Sequence, residues 1–343
     1  MAATMRAAVL HAPGPPDAFT IEEVPVPQVG PDDVLVKVRA CGVSYRDVVE
    51  RNGTYRRDTS FPAILGLEIS GTVERIGAGV LDLAVGDHVC TKAFVSCGHC
   101  RLCRSGRETT CRRREPVRGG YAEYVSLPQD AFVRVPEGIA FEVSCSLGPG
   151  AGVALNALRD TAEVEIGETV LVTGASGGVG VPSVQIAKAA GARVIAVTRS
   201  AGKTAFLREI GAGEVVIAGD GENFAPAVKA LTDGEGVDVV VDNVGSRVFN
   251  ACFDSLAVHG RYALVGQLFG EEVSINPARI FFKRARILGV GSVSRAQLAD
   301  AIALAERGIV TPQVARVLPL AEVALAHKLV EEGAVAGRVV LQP

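Results

Sequence analysis

The sequence predicts an α/β protein in two parts, a strand-rich half followed by a doubly wound parallel sheet. Three observations predict it. After about residue 165, apolar runs that read as strands alternate with helical segments of ten to fifteen residues. A glycine-rich turn sits between the first of these runs and its helix, and the first 140 residues hold short apolar runs punctuated by Pro and Gly. At 343 residues the chain also has the length of about two domains.

In the first half, Ala7–Leu10, Val34–Val38 and Gly71–Ile76 are rich in β-branched or apolar residues, with Gly14-Pro15-Pro16 and Gly30-Pro31 as breaks. In the second half, Val170–Thr173 is followed by a turn and by a helix with Pro182 in its first turn, where proline is tolerated. Arg193–Val197, a helix-like Ala201–Ile210, Val215–Ile217, Val237–Val241, Tyr262–Val265 and Arg286–Val290 continue the alternation. The tail from Arg295 carries helical segments and a last strand, Arg338–Leu341.

Composition removes several function classes. Hydrophobic residues at 48% and charged residues at 21% exclude intrinsic disorder. Lys+Arg 35 against Asp+Glu 38 leaves −3, so neither nucleic acid nor an anionic membrane is an expected partner. Thr169–Ala187 is free of charge and long enough to span a bilayer, but its four Gly, one Pro and hydroxyls suit a strand–turn–helix better. The N-terminus has no long apolar leader, so a cytoplasmic location is expected.

Gly174-Ala175-Ser176-Gly177-Gly178-Val179-Gly180 is the motif with most chemical content. Its glycines allow a tight turn and close backbone approach to a pyrophosphate, and the following helix start supplies free N–H groups and partial positive charge. The next strand ends Val197-Thr198-Arg199-Ser200, with Lys203 beyond, where an NAD site would carry a carboxylate for the ribose 2′-hydroxyl. Arg, Lys and hydroxyls can instead bond a 2′-phosphate, which favours NADP(H). The competing reading makes Arg199 and Lys203 a solvated helix start. Asp242-Asn243-Val244-Gly245 and Gly266-Gln267 end later strands on the same edge, so Asn243 and Gly266 join the candidate cofactor contacts.

Of the eight Cys, Cys41, Cys90, Cys145 and Cys252 are scattered and read as buried thiols. Cys97, Cys100, Cys103 and Cys111 fall within fifteen residues, the spacing of a closed four-thiolate site for one structural Zn2+. Arg101, Arg104, Arg107, Arg112, Arg113 and Arg114 flank the ligands, either favouring thiolates or simply forming a solvated face.

The order of strand-rich half, four-Cys lobe, nucleotide half and returning C-terminal segment resembles the medium-chain dehydrogenase/reductase superfamily. Gly42-Val43-Ser44-Tyr45-Arg46-Asp47, Gly66-Leu67-Glu68, Gly86-Asp87-His88-Val89 and Gly337-Arg338-Val339-Val340 carry the match. The resemblance implies a GroES-like β-rich catalytic domain over 1–148 and 292–343, and a Rossmann doubly wound parallel-sheet domain over 149–291. It also implies a cofactor contact at Arg338, and a homodimer or homotetramer through an edge strand, for which Ile287–Val290 is the candidate.

Zinc alcohol dehydrogenases of that superfamily bind a catalytic zinc through a Cys at the position of Ser44, a His at that of Leu67 and a Cys near Pro149. A serine hydroxyl is a poor zinc ligand and leucine is none. His11, His88, His99, His259 and His327 are not placed to substitute. The expected chemistry is therefore conjugate reduction of an enone or enoyl thioester, or reduction of a quinone, where delocalisation replaces a Lewis acid. Ser44, Tyr45 and Tyr55 are the candidate donors to the developing oxyanion, each equally readable as a structural hydroxyl. Ser44–Asp47 and Gly53-Thr54-Tyr55 also resemble the acryloyl-CoA reductase branch, which makes acyl-CoA a candidate substrate and Arg56 and Arg57 candidates for its phosphates. Two alternatives stay open: an alcohol or aldehyde oxidoreductase with an atypical metal site, and a non-catalytic NADPH-binding protein.

Overall fold

The computed structural model describes residues 3–54, 59–219, 221–267 and 270–343. The chain folds as two compact units, one of Met1–Gly152, Val293–Arg307 and Pro312–Pro343, the other of Val153–Ser292 and Gly308–Thr311. The short Gly308–Thr311 segment, read from sequence as part of the first unit, packs in the second. There Gln185 donates from Nε2 to the Thr311 carbonyl at 3.1 Å and accepts from its N–H at 3.0 Å.

In the first unit the central strand is Asp33–Val43, eleven residues long, more than double the Val34–Val38 run visible in sequence. It is flanked by Glu68–Ile76 and Arg338–Gln342 in a sheet that continues to His88–Thr91 and Phe132–Arg134 on one side and Val314–Pro319 on the other, with Tyr124–Pro128 also paired to it. Val34, Val36, Val38, Val43 and Ile69 face one core with Tyr121 and Phe132. The alternation buried–exposed along Val36, Lys37, Val38 and Arg39 is that of a strand with one solvated face.

In the second unit six strands run parallel in the order Glu214–Ile217, Arg193–Thr198, Thr169–Val172, Val237–Asp242, Leu256–Leu264, Arg286–Gly289. That order places the first strand in sequence at the reversal point, where dinucleotide sites form. The central strands carry uninterrupted apolar runs because both faces are covered: Val170, Leu171, Val172, Val239, Val240 and Val241 are all buried. Two sequence readings shift. The strand assigned to Tyr262–Val265 begins at Leu256 and ends at Leu264, and the Ala201–Ile210 helix divides into a 3-10 turn at Ala201–Lys203 and an α-helix at Thr204–Glu209. Among the described residues no helix is long and apolar enough to cross a membrane.

Candidate functional site

The glycine-rich turn is built as its residues require. Gly174 has φ of 56°, a conformation that favours glycine, and a Cβ on Gly180 would lie 2.1 Å from the Gly174 carbonyl oxygen. Gly177 closes the turn by donating to that carbonyl at 2.9 Å, and the helix Gly180–Ala189 starts directly from Val179. Gly174, Ser176, Gly177, Gly178, Val179 and Gly180 thus occupy one strand–turn–helix junction. Thr198 ends the neighbouring strand, with Arg199 and Ser200 exposed just past it. Lys203 stands half-buried in the 3-10 turn, its ammonium held below its ordinary range by burial and by repulsion from Arg199. The next two strand ends bring Asn243 and Gly266 to the same edge, where Gly266 helps line a cleft of about 430 Å³ with Gly245, Phe249, Leu264 and Gln267.

The four-thiol lobe passes a direct geometric test for zinc. Sγ separations are 3.5 Å for Cys100–Cys103, 3.6 Å for Cys97–Cys111, and 3.9 Å for Cys97–Cys103 and Cys100–Cys111. A tetrahedron with Zn–S bonds of about 2.3 Å has edges of about 3.8 Å, whereas a disulfide needs about 2.05 Å. The backbone N–H groups of His99 and Cys100 draw the Cys97 thiol down to about 6, while burial and its neighbours push Cys103 up to about 12. Such a split set ionises together when a cation neutralises it. Cys97, Cys100, Cys103 and Cys111 are the residues that would hold Zn2+. With no ligand position left open, that ion would supply structural bracing rather than substrate activation. Around the lobe, the arginines from Arg101 to Arg113 are exposed, and Arg114 lies over the Phe94 ring at 4.9 Å.

The catalytic-zinc positions are occupied otherwise. Ser44 caps the Tyr45–Arg51 helix in a capping box with Asp47. Its hydroxyl donates to Asp47 Oδ2 at 2.6 Å, and the other Asp47 oxygen accepts from Gly66 N–H at 3.2 Å. Asp47 is buried, and burial pushes its carboxyl above the usual range. Tyr45 is half-buried at the first helical position. Leu67 is 3% exposed in the apolar core. Gly148 packs directly on the Thr91 carbonyl, 2.2 Å from where its Cβ would be. Among the described residues, the four-Cys lobe is the one group of three or more His, Cys, Asp or Glu that gathers its ligand atoms. Tyr55, Arg56 and Arg57 lie outside the described residues.

Two constellations were missed in sequence. Arg338, expected at the cofactor, forms a buried ion pair with Glu68, Nη2 to Oε1 at 2.6 Å. Asp242 is a wholly buried acid at the end of an apolar parallel strand, and that placement alone is the signal that could have marked it.

This parallel sheet with a glycine-rich turn, together with a strand-rich unit bearing a four-thiol centre, defines a zinc-type dehydrogenase architecture. Comparison with known families agrees: residues 30–137 match the alcohol dehydrogenase GroES-like domain and residues 178–307 the zinc-binding dehydrogenase domain. An acryloyl-coenzyme A reductase of Sulfurisphaera tokodaii is 32% identical across 96% of this chain and 98% of its own. The crystal structure of AibC superposes with a TM-score of 0.92 at 41% identity, covering 99% of this chain and 96% of that one. An NAD-dependent alcohol dehydrogenase structure also reaches 0.92, at 35% identity, covering 99% and 100%. The chain belongs to the medium-chain dehydrogenase/reductase superfamily and is an oxidoreductase.

Proposed function

We propose that this protein is an NADPH-dependent reductase of an activated C=C bond, in an enone or enoyl thioester, or of a quinone, and that it works without a catalytic zinc. The observation that carries the reading is the pair Ser44 and Leu67. The first spends its hydroxyl on a helix cap, and the second offers only hydrocarbon where an alcohol dehydrogenase would hold its metal. A relative that bears the name acryloyl-coenzyme A reductase supports the same direction, and acyl-CoA is included in the substrate class.

Bound NADPH would supply the hydride. The chain's own part begins with the Gly174–Gly180 turn, whose N–H groups and helix start suit a pyrophosphate, while Arg199 and Lys203, with Thr198 and Ser200, suit a 2′-phosphate. An anion there offsets the burial and the Arg199 repulsion that together depress Lys203. On the first unit, Asp47 holds both the Ser44 hydroxyl and the Gly66 N–H, so the Ser44 proton expected for the oxyanion is already spent and Tyr45 is the described candidate donor for an enolate oxygen. Arg338, the remaining candidate cofactor contact, is already paired with Glu68. Cys97, Cys100, Cys103 and Cys111 would hold one Zn2+ per chain as a brace.

A dimer or tetramer of this chain fits the edge of the second unit. Arg286–Gly289 ends the sheet, Ile287 is exposed, and the Phe281 and Phe282 rings meet tilted, centroids 4.3 Å apart, while 62% and 72% exposed.

The test is NADPH consumption against enones, quinones, enoyl-CoAs and aldehydes, on protein whose zinc content is measured. Turnover of the conjugated substrates at one zinc per chain supports the reading. Aldehyde reduction at two zinc per chain favours the alcohol-type alternative, which the similarity to an NAD-dependent alcohol dehydrogenase keeps in play. Tight binding with no turnover leaves a non-catalytic binding protein.

A further inference from the structure

Asp242 ends the Val237–Asp242 strand with no exposed surface. Its Oδ1 accepts from the Thr173 hydroxyl at 2.6 Å, Val244 N–H at 2.9 Å and Gly245 N–H at 3.1 Å. Its Oδ2 accepts from the Tyr262 hydroxyl at 2.8 Å. These donors come from the carboxyl ends of neighbouring parallel strands. Thr173 directly precedes the glycine-rich turn, Val244 and Gly245 follow Asp242 itself, and Tyr262 lies in Leu256–Leu264. Burial pushes the Asp242 carboxyl up, and the four donors pull it back.

Thr173 passes the constraint on to Asn243. Its hydroxyl oxygen accepts from Asn243 N–H at 3.1 Å, and its carbonyl accepts from Asn243 Nδ2 at 2.9 Å. With Nδ2 committed, the orientation of the amide is set, and Asn243 Oδ1 is left buried without a partner among the described residues. Asn243 also sits between two glycines of the candidate cofactor edge. A Cβ on Gly174 would lie 3.4 Å from Asn243 Cβ, and one on Gly266 would lie 3.0 Å from the Asn243 carbonyl oxygen. A buried acceptor that is held in place and left unsatisfied is explained when a ligand brings the donor.

The geometry points to Asp242 as the positioning residue of the dinucleotide site. Through Thr173 and the Val244–Gly245 amides it clamps two neighbouring strand ends together, and so presents Asn243 Oδ1 to accept an O–H or N–H of the bound dinucleotide. This rests on the cofactor reading above. It adds to that reading a residue that touches no ligand, and a specific acceptor that does.

The test uses the full chain and NADPH fluorescence titration beside thermal unfolding. Asp242→Asn turns a carboxylate oxygen into an NH2 that faces N–H and O–H donors, and is expected to weaken NADPH binding at least tenfold. Thr173→Val is expected to weaken it in the same direction, and Thr173→Ser, which keeps the hydroxyl, to restore it. Thr232→Val serves as the stability control. Thr232 is a buried hydroxyl in the same unit that donates to the Val228 carbonyl, and its loss is expected to lower Tm with binding held within twofold. Thr173→Val and Thr173→Ser decide the matter even where Asp242→Asn fails to fold. Variants that bind NADPH as the unaltered protein does, or a Thr173→Ser that rescues nothing, overturn the inference alone. An unaltered protein that does not bind NADPH overturns the cofactor reading, and the inference with it.

Discussion

Arg338 reaches Glu68 across a glycine. Their strands flank Asp33–Val43, in which Gly42 is paired with Glu68 on one side and Val340 on the other. A Cβ on Gly42 would lie 2.5 Å from Glu68 Oε2, so only glycine leaves the carboxylate room to lie over the strand and meet the guanidinium. Burial pushes Glu68 up to about 7 against the pull of Arg338.

Removing the cation should therefore hurt most at alkaline pH. Arg338→Met leaves Glu68 buried and alone, and its carboxyl moves further above its unfolded range. Loss of one partner of a buried pair costs about 3–5 kcal/mol when the other stays charged. We expect a loss of that order at pH 8, shrinking towards pH 5.5 as Glu68 takes up a proton. Urea unfolding at both pH values checks it, and an equal loss at both would show that the carboxylate is not the source.

His327 should behave in the opposite sense. It is wholly buried, and a guanidinium nitrogen of Arg51 can only donate to its Nδ1, at 3.2 Å. Nε2 therefore carries the proton and donates to the Tyr121 hydroxyl at 3.1 Å. Burial, then Arg51, pushes His327 down to about 3. The unfolded chain binds the extra proton first, so this stability is complete above the ordinary histidine range and is lost as pH falls from there towards 3. His327→Gln should flatten the acid limb by up to about 1.4 kcal/mol per pH unit relative to the unaltered protein. Nitrogen NMR should find the Nε2–H tautomer down to about pH 4, and an imidazolium at pH 6 would contradict the assignment.

Zinc removal should loosen one lobe and spare the rest. Cys103→Ser is expected to reduce bound zinc from one per chain to none and to expose the Arg101–Arg114 stretch to trypsin. The glycine-rich turn belongs to the other unit, so NADPH affinity should stay within about twofold. A lobe as trypsin-resistant without metal as with it would remove the structural role.

Cofactor choice should follow Arg199 and Lys203. Replacing both with Ala removes two charge-assisted contacts of about 1.5–3 kcal/mol each, so KM for NADPH should rise at least tenfold with KM for NADH little changed. Steady-state kinetics with both nucleotides reads this directly, and parallel changes in the two would mean that the pair does not meet a 2′-phosphate.

Local patterns were legible in sequence and distant pairings were not. The apolar run Val170–Thr173, the glycines at 174, 177, 178 and 180, and the cysteine spacing each report on a few neighbouring residues, and each formed at its place. The early start of Leu256–Leu264 escaped because His259, Gly260 and Arg261 break the apolar run, and the pairing with Val237–Asp242 itself shifts register there, passing from Leu256 to Arg261. Glu68 and Arg338 lie 270 positions apart, and a charged pair in a core leaves no periodic trace. Ser44 was legible as a lost metal ligand but not as a helix cap whose proton already belongs to Asp47, since that depends on where the helix begins.

The most direct measurement follows the hydride itself. An α,β-unsaturated ketone reduced with NADPH deuterated at the transferable C4 position offers two carbons to one enzyme. Conjugate reduction places deuterium on the carbon β to an intact carbonyl, in protein holding one zinc per chain. Deuterium on a carbinol carbon, with a second zinc bound, would contradict it.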